Sequence, residues 1–179
     1  MKRMHKKMAA TLVLLVALFS SATGAFAFGE NKFEKELEKE KEAVKLTREV
    51  VKGGYDLVTT EELKSWIDAG KDMLIVDIMP FEDSYKKTHI PGARQFLFPI
   101  NEMAAWDVKE TDSKTQEDFA ALLGPDKDRV LIFYCGFVKC GRSHNGAQWA
   151  KKLGYKNVYR HPGGIYAWQG AKFPTEGGQ

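Results

Sequence analysis

The stretch Val130-Leu-Ile-Phe-Tyr-Cys135-Gly-Phe-Val-Lys-Cys140-Gly-Arg142-Ser143 decides the fold. Its first part, β-branched and aromatic, predicts a buried strand that stops abruptly on a cysteine. Ser143 is placed to cap a helix that continues through Asn145, Trp149 and Lys152. The thiol of Cys135 then sits at the mouth of a short loop between a strand and a helix N-terminus. Backbone N–H groups and the helix dipole favour an anion there. A cysteine so placed is expected to have a lowered pKa and to attack as its thiolate. Lys139 and Arg142 add positive charge inside the loop. The plainer reading is that Cys135 is a small buried hydrophobe closing a core strand. Gly136, Gly141, the two cations and the helix start favour the anion cradle.

Outward from this stretch the chain alternates. A short strand over residues 55–58 precedes a helix capped by Thr59 or Thr60, with Glu61 and Glu62 in its first turn and its end at Ala69-Gly70. Met73–Asp77 reads as a buried strand ending on a carboxylate, and residues 94–96 as another short strand. Helices are expected over 101–106 and 114–123, the second stopped by Gly124-Pro125. The last strand spans 157–160, and Pro162-Gly163-Gly164 turns into a helix over 165–168. Strands alternating with helices predict an α/β fold, a mainly parallel central sheet with helices on both faces. Ligands of such sheets bind at the carboxyl ends of the strands, where Cys135 sits.

Three stretches, in order, resemble the rhodanese-like domain family of single-domain sulfurtransferases. They are Val76-Asp77 with Tyr85 and His89-Ile-Pro-Gly-Ala93; Phe133-Tyr134-Cys135 through Arg142-Ser143; and Pro162-Gly-Gly-Ile-Tyr-Ala-Trp168-Gln-Gly170 with Pro174. Their order and spacing fit one domain over residues 55–174. The resemblance implies sulfur transfer: Cys135 attacks the outer sulfur of a small anionic donor, thiosulfate or polysulfide, and holds it as a persulfide. A thiophilic acceptor (a thiol, cyanide, sulfite or a protein cysteine) then removes it. Loop N–H groups can cradle the persulfide anion without metal or cofactor. Gly136, Phe137, Val138, Lys139, Cys140, Gly141 and Arg142 are thus the expected substrate-binding loop, with Arg142 orienting an anionic donor.

The loop departs from the family. Members usually place four residues between cysteine and arginine, whereas six separate Cys135 from Arg142. This reads as a two-residue insertion. Phosphatases and arsenate reductases related to this fold also have longer loops, so oxyanion chemistry stands as an alternative, beside a non-catalytic binding module. Cys140 has three readings: a redox partner that resolves Cys135 as a disulfide, a second sulfur acceptor, or a passive loop residue. Asp77 and His89 are expected to be structural supports. His144 reads as a proton relay or as an exposed helix residue. A zinc site from Cys135, Cys140 and His144 lacks a fourth ligand and the usual spacing. Trp149, Tyr155, Tyr159 and Trp168 read as packing residues.

The N-terminus has the form of an export signal. Lys2, Arg3, Lys6 and Lys7 precede an apolar run from Met8 to Phe19, and Ala25-Phe26-Ala27 is an A-x-A cleavage site. The run is shorter than the roughly 18 residues expected of a spanning helix. A bacterial periplasmic or secreted protein is expected, touching a membrane only through residues 1–27. Those four of the 27 basic residues leave 23 basic against 24 acidic groups, a formal −1. The basic balance thus belongs to the signal, and no nucleic-acid partner is implied. Residues 28–54 form a charged helical arm with few groups to bury early and some, such as Val50-Val51, late. The domain follows over 55–174 and a short tail over 175–179.

Overall fold

A computed structural model describes residues 31–178. The export segment expected over residues 1–27 lies outside the described residues. Helix α1 (Lys32–Gly53) is capped by the Asn31 side chain and ends where Gly54 turns left-handed at φ 65°. Strand β1 (Asp56–Leu57) leads to α2 (Thr60–Asp68), which opens with a reciprocal Thr59–Glu62 capping box. Then come β2 (Met73–Asp77), β3 (Arg94–Gln95), α3 (Gln116–Leu123) and β4 (Val130–Tyr134). Helices α4 (Arg142–Lys152) and α5 (Gly164–Gly170) flank β5 (Val158–His161).

The sheet is five-stranded and parallel throughout, in the order β1-β5-β4-β2-β3. Period-two alternation in its central strands serves two cores. Leu74, Val76, Leu131 and Phe133 face an aromatic cluster with Phe96, Phe98, Phe119 and Trp149, on the side of α3 and α4. Ile75, Ile132 and Tyr134 face Val58, Leu63, Ile165 and Trp168, on the side of α2 and α5. Helices on both faces of a parallel sheet bring the C-terminal strand ends to one edge, where Asp77, Tyr134 and His161 lie side by side in register.

Residues 101–106 depart from expectation, for they form an irregular segment. The Asn145 side chain donates to the carbonyls of Pro99 (2.9 Å) and Asn101 (2.7 Å) and accepts from the Met103 N–H (2.9 Å). Backbone groups that a helix would pair internally are held by a residue more than forty positions away. A single 3₁₀ turn, Val108–Glu110, follows.

Candidate active site

Tyr134 ends β4, and its carbonyl is still held in the sheet by the Ile78 N–H (3.0 Å). The next residue, Cys135, begins a loop that closes through a Cys140 N–H to Phe137 carbonyl turn (3.0 Å). Two other segments press on this loop. The Ile165 and Tyr166 N–H groups donate to the carbonyls of Cys135 and Gly136, both at 3.0 Å. Gly164, at φ 59°, allows that approach, because a Cβ there would lie 2.1 Å from the Cys135 carbonyl oxygen. On the other side a Cβ on Gly141 would lie 2.2 Å from the Ile100 carbonyl oxygen.

Both cysteines are free and buried, Cys135 at 1 % exposure and Cys140 at 8 %. The Cys135 Sγ lies 3.2 Å from the Ser143 Oγ and donates to the Cys140 carbonyl at 3.4 Å. Ser143 therefore does not cap α4 as expected. The helix starts two residues earlier, with Gly141 at the cap position, and the hydroxyl is turned to the thiol instead.

The two thiols differ in acidity. Burial pushes the Cys135 thiol well up, reinforced by its hydrogen bond with Cys140. Cys140 is pulled down to about 6 by the hydrogen bond from Cys135, with the N–H groups of Arg142 and Gly136 and the Arg142 charge assisting against burial. Cys140 is thus the more acidic thiol of the pair at this strand–helix junction.

A cavity of about 500 Å³ opens over the loop, lined by Met79, Ile100, Phe137, Cys140, Arg142 and Tyr166 among others. Phe137 stacks on Tyr166 at its mouth, ring centroids 5.5 Å apart. Cys140 lines the cavity and Cys135 does not. Arg142 reaches the cavity while donating to the Phe98 carbonyl. Lys139 also borders the cavity, but its ammonium pairs with Glu42 (3.0 Å) and Glu38 (3.4 Å) of α1, which raise its pKa. Much of its charge is spent on the arm.

Arg160 went unnoticed in the sequence. Its guanidinium is fully buried behind the loop and donates to the carbonyls of Cys140 (2.9 Å) and Val138 (3.3 Å). It also pairs with Glu49 of α1 (2.5 Å) and reaches the Tyr55 hydroxyl at 3.4 Å. A basic residue inside an otherwise apolar strand was the available signal, since such a charge demands a buried partner. His144, expected at the helix surface or as a relay, is buried at 4 % exposure. Its Nδ1 lies 2.9 Å from the same Tyr55 hydroxyl, and burial lowers its pKa. Among the described residues no group of three or more His, Cys, Asp or Glu side chains gathers to hold a metal ion.

The family model of the rhodanese-like domain matches residues 59–171. The chain belongs to that family. Curated proteins gave no match. Among solved structures, one similar fold is the thiosulfate sulfurtransferase of Pseudomonas aeruginosa, TM-score 0.55 at 24% identity, with 75% of this chain and 23% of that one covered. Another is the 30 kDa polysulfide-sulfur transferase homodimer of Wolinella succinogenes, TM-score 0.53 at 13% identity, covering 82% and 94%. A third is a protein of Bacillus halodurans, TM-score 0.53 at 20% identity, covering 82% and 87%.

The rhodanese-like motif around His89 lies apart from the thiols. The His89 Nδ1–H donates to the Tyr85 carbonyl (2.7 Å), and the ring stacks on Tyr85 at 4.0 Å. Asp77 accepts from the Met79 N–H (2.9 Å) and from the Tyr134 hydroxyl, which itself accepts from the Ile90 N–H (3.0 Å). Burial lifts Asp77 to about 6 despite these bonds. The carboxylate ties the segment before His89 to the end of β4.

Proposed function

We propose that the protein is a sulfurtransferase that moves sulfane sulfur from thiosulfate or polysulfide to a thiophilic acceptor through a persulfide on Cys135. The observation that carries this reading is the Cys135 thiol at the end of β4, held by the Ser143 hydroxyl and the Cys140 carbonyl beside a cavity that Cys140 and Arg142 line. A proton passed from Cys135 to the Cys140 thiolate makes Cys135 the nucleophile. Attack on the outer sulfur of thiosulfate forms the Cys135 Sγ–S bond, breaks the S–S bond of the donor and releases sulfite. Arg142, at the cavity wall, is the group that meets the anionic donor. The acceptor is a thiol, cyanide or a protein cysteine.

Oxyanion chemistry is the weaker reading of this loop. The Gly136 and Arg142 N–H groups that would hold oxyanion oxygens are directed at the Cys140 sulfur. The signal-like residues 1–27 support export to the periplasm or beyond, with cleavage after Ala27.

The test is intact mass before and after thiosulfate for Cys135→Ala and Cys140→Ser. Cys140→Ser gains one sulfur that cyanide removes, and Cys135→Ala gains none. A phosphatase turnover with no sulfur uptake in either protein would replace this reading.

A further inference from the structure

The second thiol is placed to take part in the chemistry. Cys135 is almost wholly enclosed and does not line the cavity, whereas Cys140 does. An acceptor entering from the cavity meets Cys140 first. The Cys135 thiol already donates to the Cys140 carbonyl at 3.4 Å. Arg160 fixes that carbonyl from behind, so Cys140 is held in place. A thiol on a residue whose carbonyl already accepts from Cys135 reacts with an advantage no dissolved thiol has.

Resting on the sulfurtransferase reading, the geometry points to Cys140 as the internal acceptor of the Cys135 persulfide. The Cys140 sulfur attacks the inner sulfur, Sγ of Cys135, and the bond from Sγ to the carried sulfur breaks. A Cys135–Cys140 disulfide forms, and the carried sulfur leaves as HS⁻, taking the proton of the Cys140 thiol. The thiol pair is oxidised by two electrons and the sulfane sulfur is reduced to sulfide. A dithiol reductant returns the pair to thiols by exchange. The enzyme then liberates sulfide with no small acceptor present, and its turnover needs a dithiol rather than cyanide.

The test uses the reduced full chain with thiosulfate and no added thiol or cyanide, reading sulfite, sulfide and intact mass together. The wild type is expected to release about one equivalent each of sulfite and sulfide and to end lighter by two hydrogens. Cys140→Ser, with Cys140→Ala beside it, should release sulfite, keep the added sulfur and give no sulfide. A wild type that keeps its added sulfur overturns this inference and leaves the sulfurtransferase reading intact. Absence of sulfite from every protein overturns both. Sulfur retained on Cys140 in Cys135→Ser would reverse the two roles and overturn the assignment.

Discussion

Glu49, on the charged helix, and Arg160, on the last strand, form an ion pair behind the cysteine loop. The Arg160 side chain is fully enclosed and that of Glu49 is 16 % exposed. The other guanidinium nitrogen of Arg160 holds the carbonyls of Val138 and Cys140, and the Lys45 ammonium of the same helix donates to the Lys139 carbonyl at 2.9 Å. The later part of this helix, through Lys45 and Glu49, is thus a brace for the loop. The early residues of the helix do stay exposed, Phe33 and Leu37 among them.

Removing Glu49 leaves a guanidinium buried without its counter-charge. Glu49→Ala is expected to lower stability by about 3 kcal/mol in urea unfolding. It should also slow single-turnover sulfur uptake, because the loop carbonyls lose a fixed donor. Glu38→Ala and Glu42→Ala break only pairs with the exposed Lys139 ammonium, which water screens, and are expected to change stability little. Equal costs at positions 38 and 49 would show that α1 does not brace the loop.

Alkylation of Cys140 is expected to follow its own titration. Its pKa is lowered to about 6, so the rate with a small haloacetamide should rise through that pH and level off above pH 7. The hydrogen bond from Cys135 is the leading cause, so Cys135→Ala should move the midpoint upward. Arg142→Gln removes the neighbouring charge and should move it the same way. A midpoint that stays put in both variants would mean the thiolate is held by something else.

Much of this architecture was legible because it depends on neighbours in sequence. The β-branched run 130–134, the Thr59–Glu62 box and the glycines after each helix act within a few residues. Segment 101–106 was misread because Asn145, far along the chain, supplies its hydrogen bonds. The relative acidity of the two thiols likewise depends on the folded loop. Strand and helix place both sulfurs near N–H groups, but only the folded loop decides which sulfur those groups face. Glu49 looked like one more charge in an acidic and basic run, and nothing local marked it as the partner of Arg160.

Gly164 carries the contact between α5 and the cysteine loop. Alanine there would adopt an unfavourable left-handed φ and press its Cβ against the Cys135 carbonyl, which cannot move without breaking its bond from Ile165. Gly164→Ala should cost about 3 kcal/mol and weaken sulfur uptake at temperatures where the protein is still folded. Gly170→Ala, where a Cβ meets nothing within 4 Å, serves as the control. It is expected to stay within about 0.5 kcal/mol of wild type.

Asp77 gives a pH signature of the opposite sense to an ordinary ion-paired carboxylate. Its folded-state pKa is raised by burial to about 6, above the usual 3.8, so the native state binds its proton more tightly than the unfolded chain does. The stability this group contributes is therefore fully present below the unfolded value and lost as pH rises through about 6. Asparagine cannot ionise, and at this position its side-chain oxygen still accepts from the Tyr134 hydroxyl. Whatever Asp77→Asn costs in geometry is the same at every pH. Relative to wild type, the variant should become more favourable by about 2–3 kcal/mol between pH 4 and pH 7.5. Denaturant unfolding of both proteins at the two pH values measures this. A wild-type-to-variant difference that does not change with pH would place the charge of Asp77 in a far better-solvated setting than its burial implies.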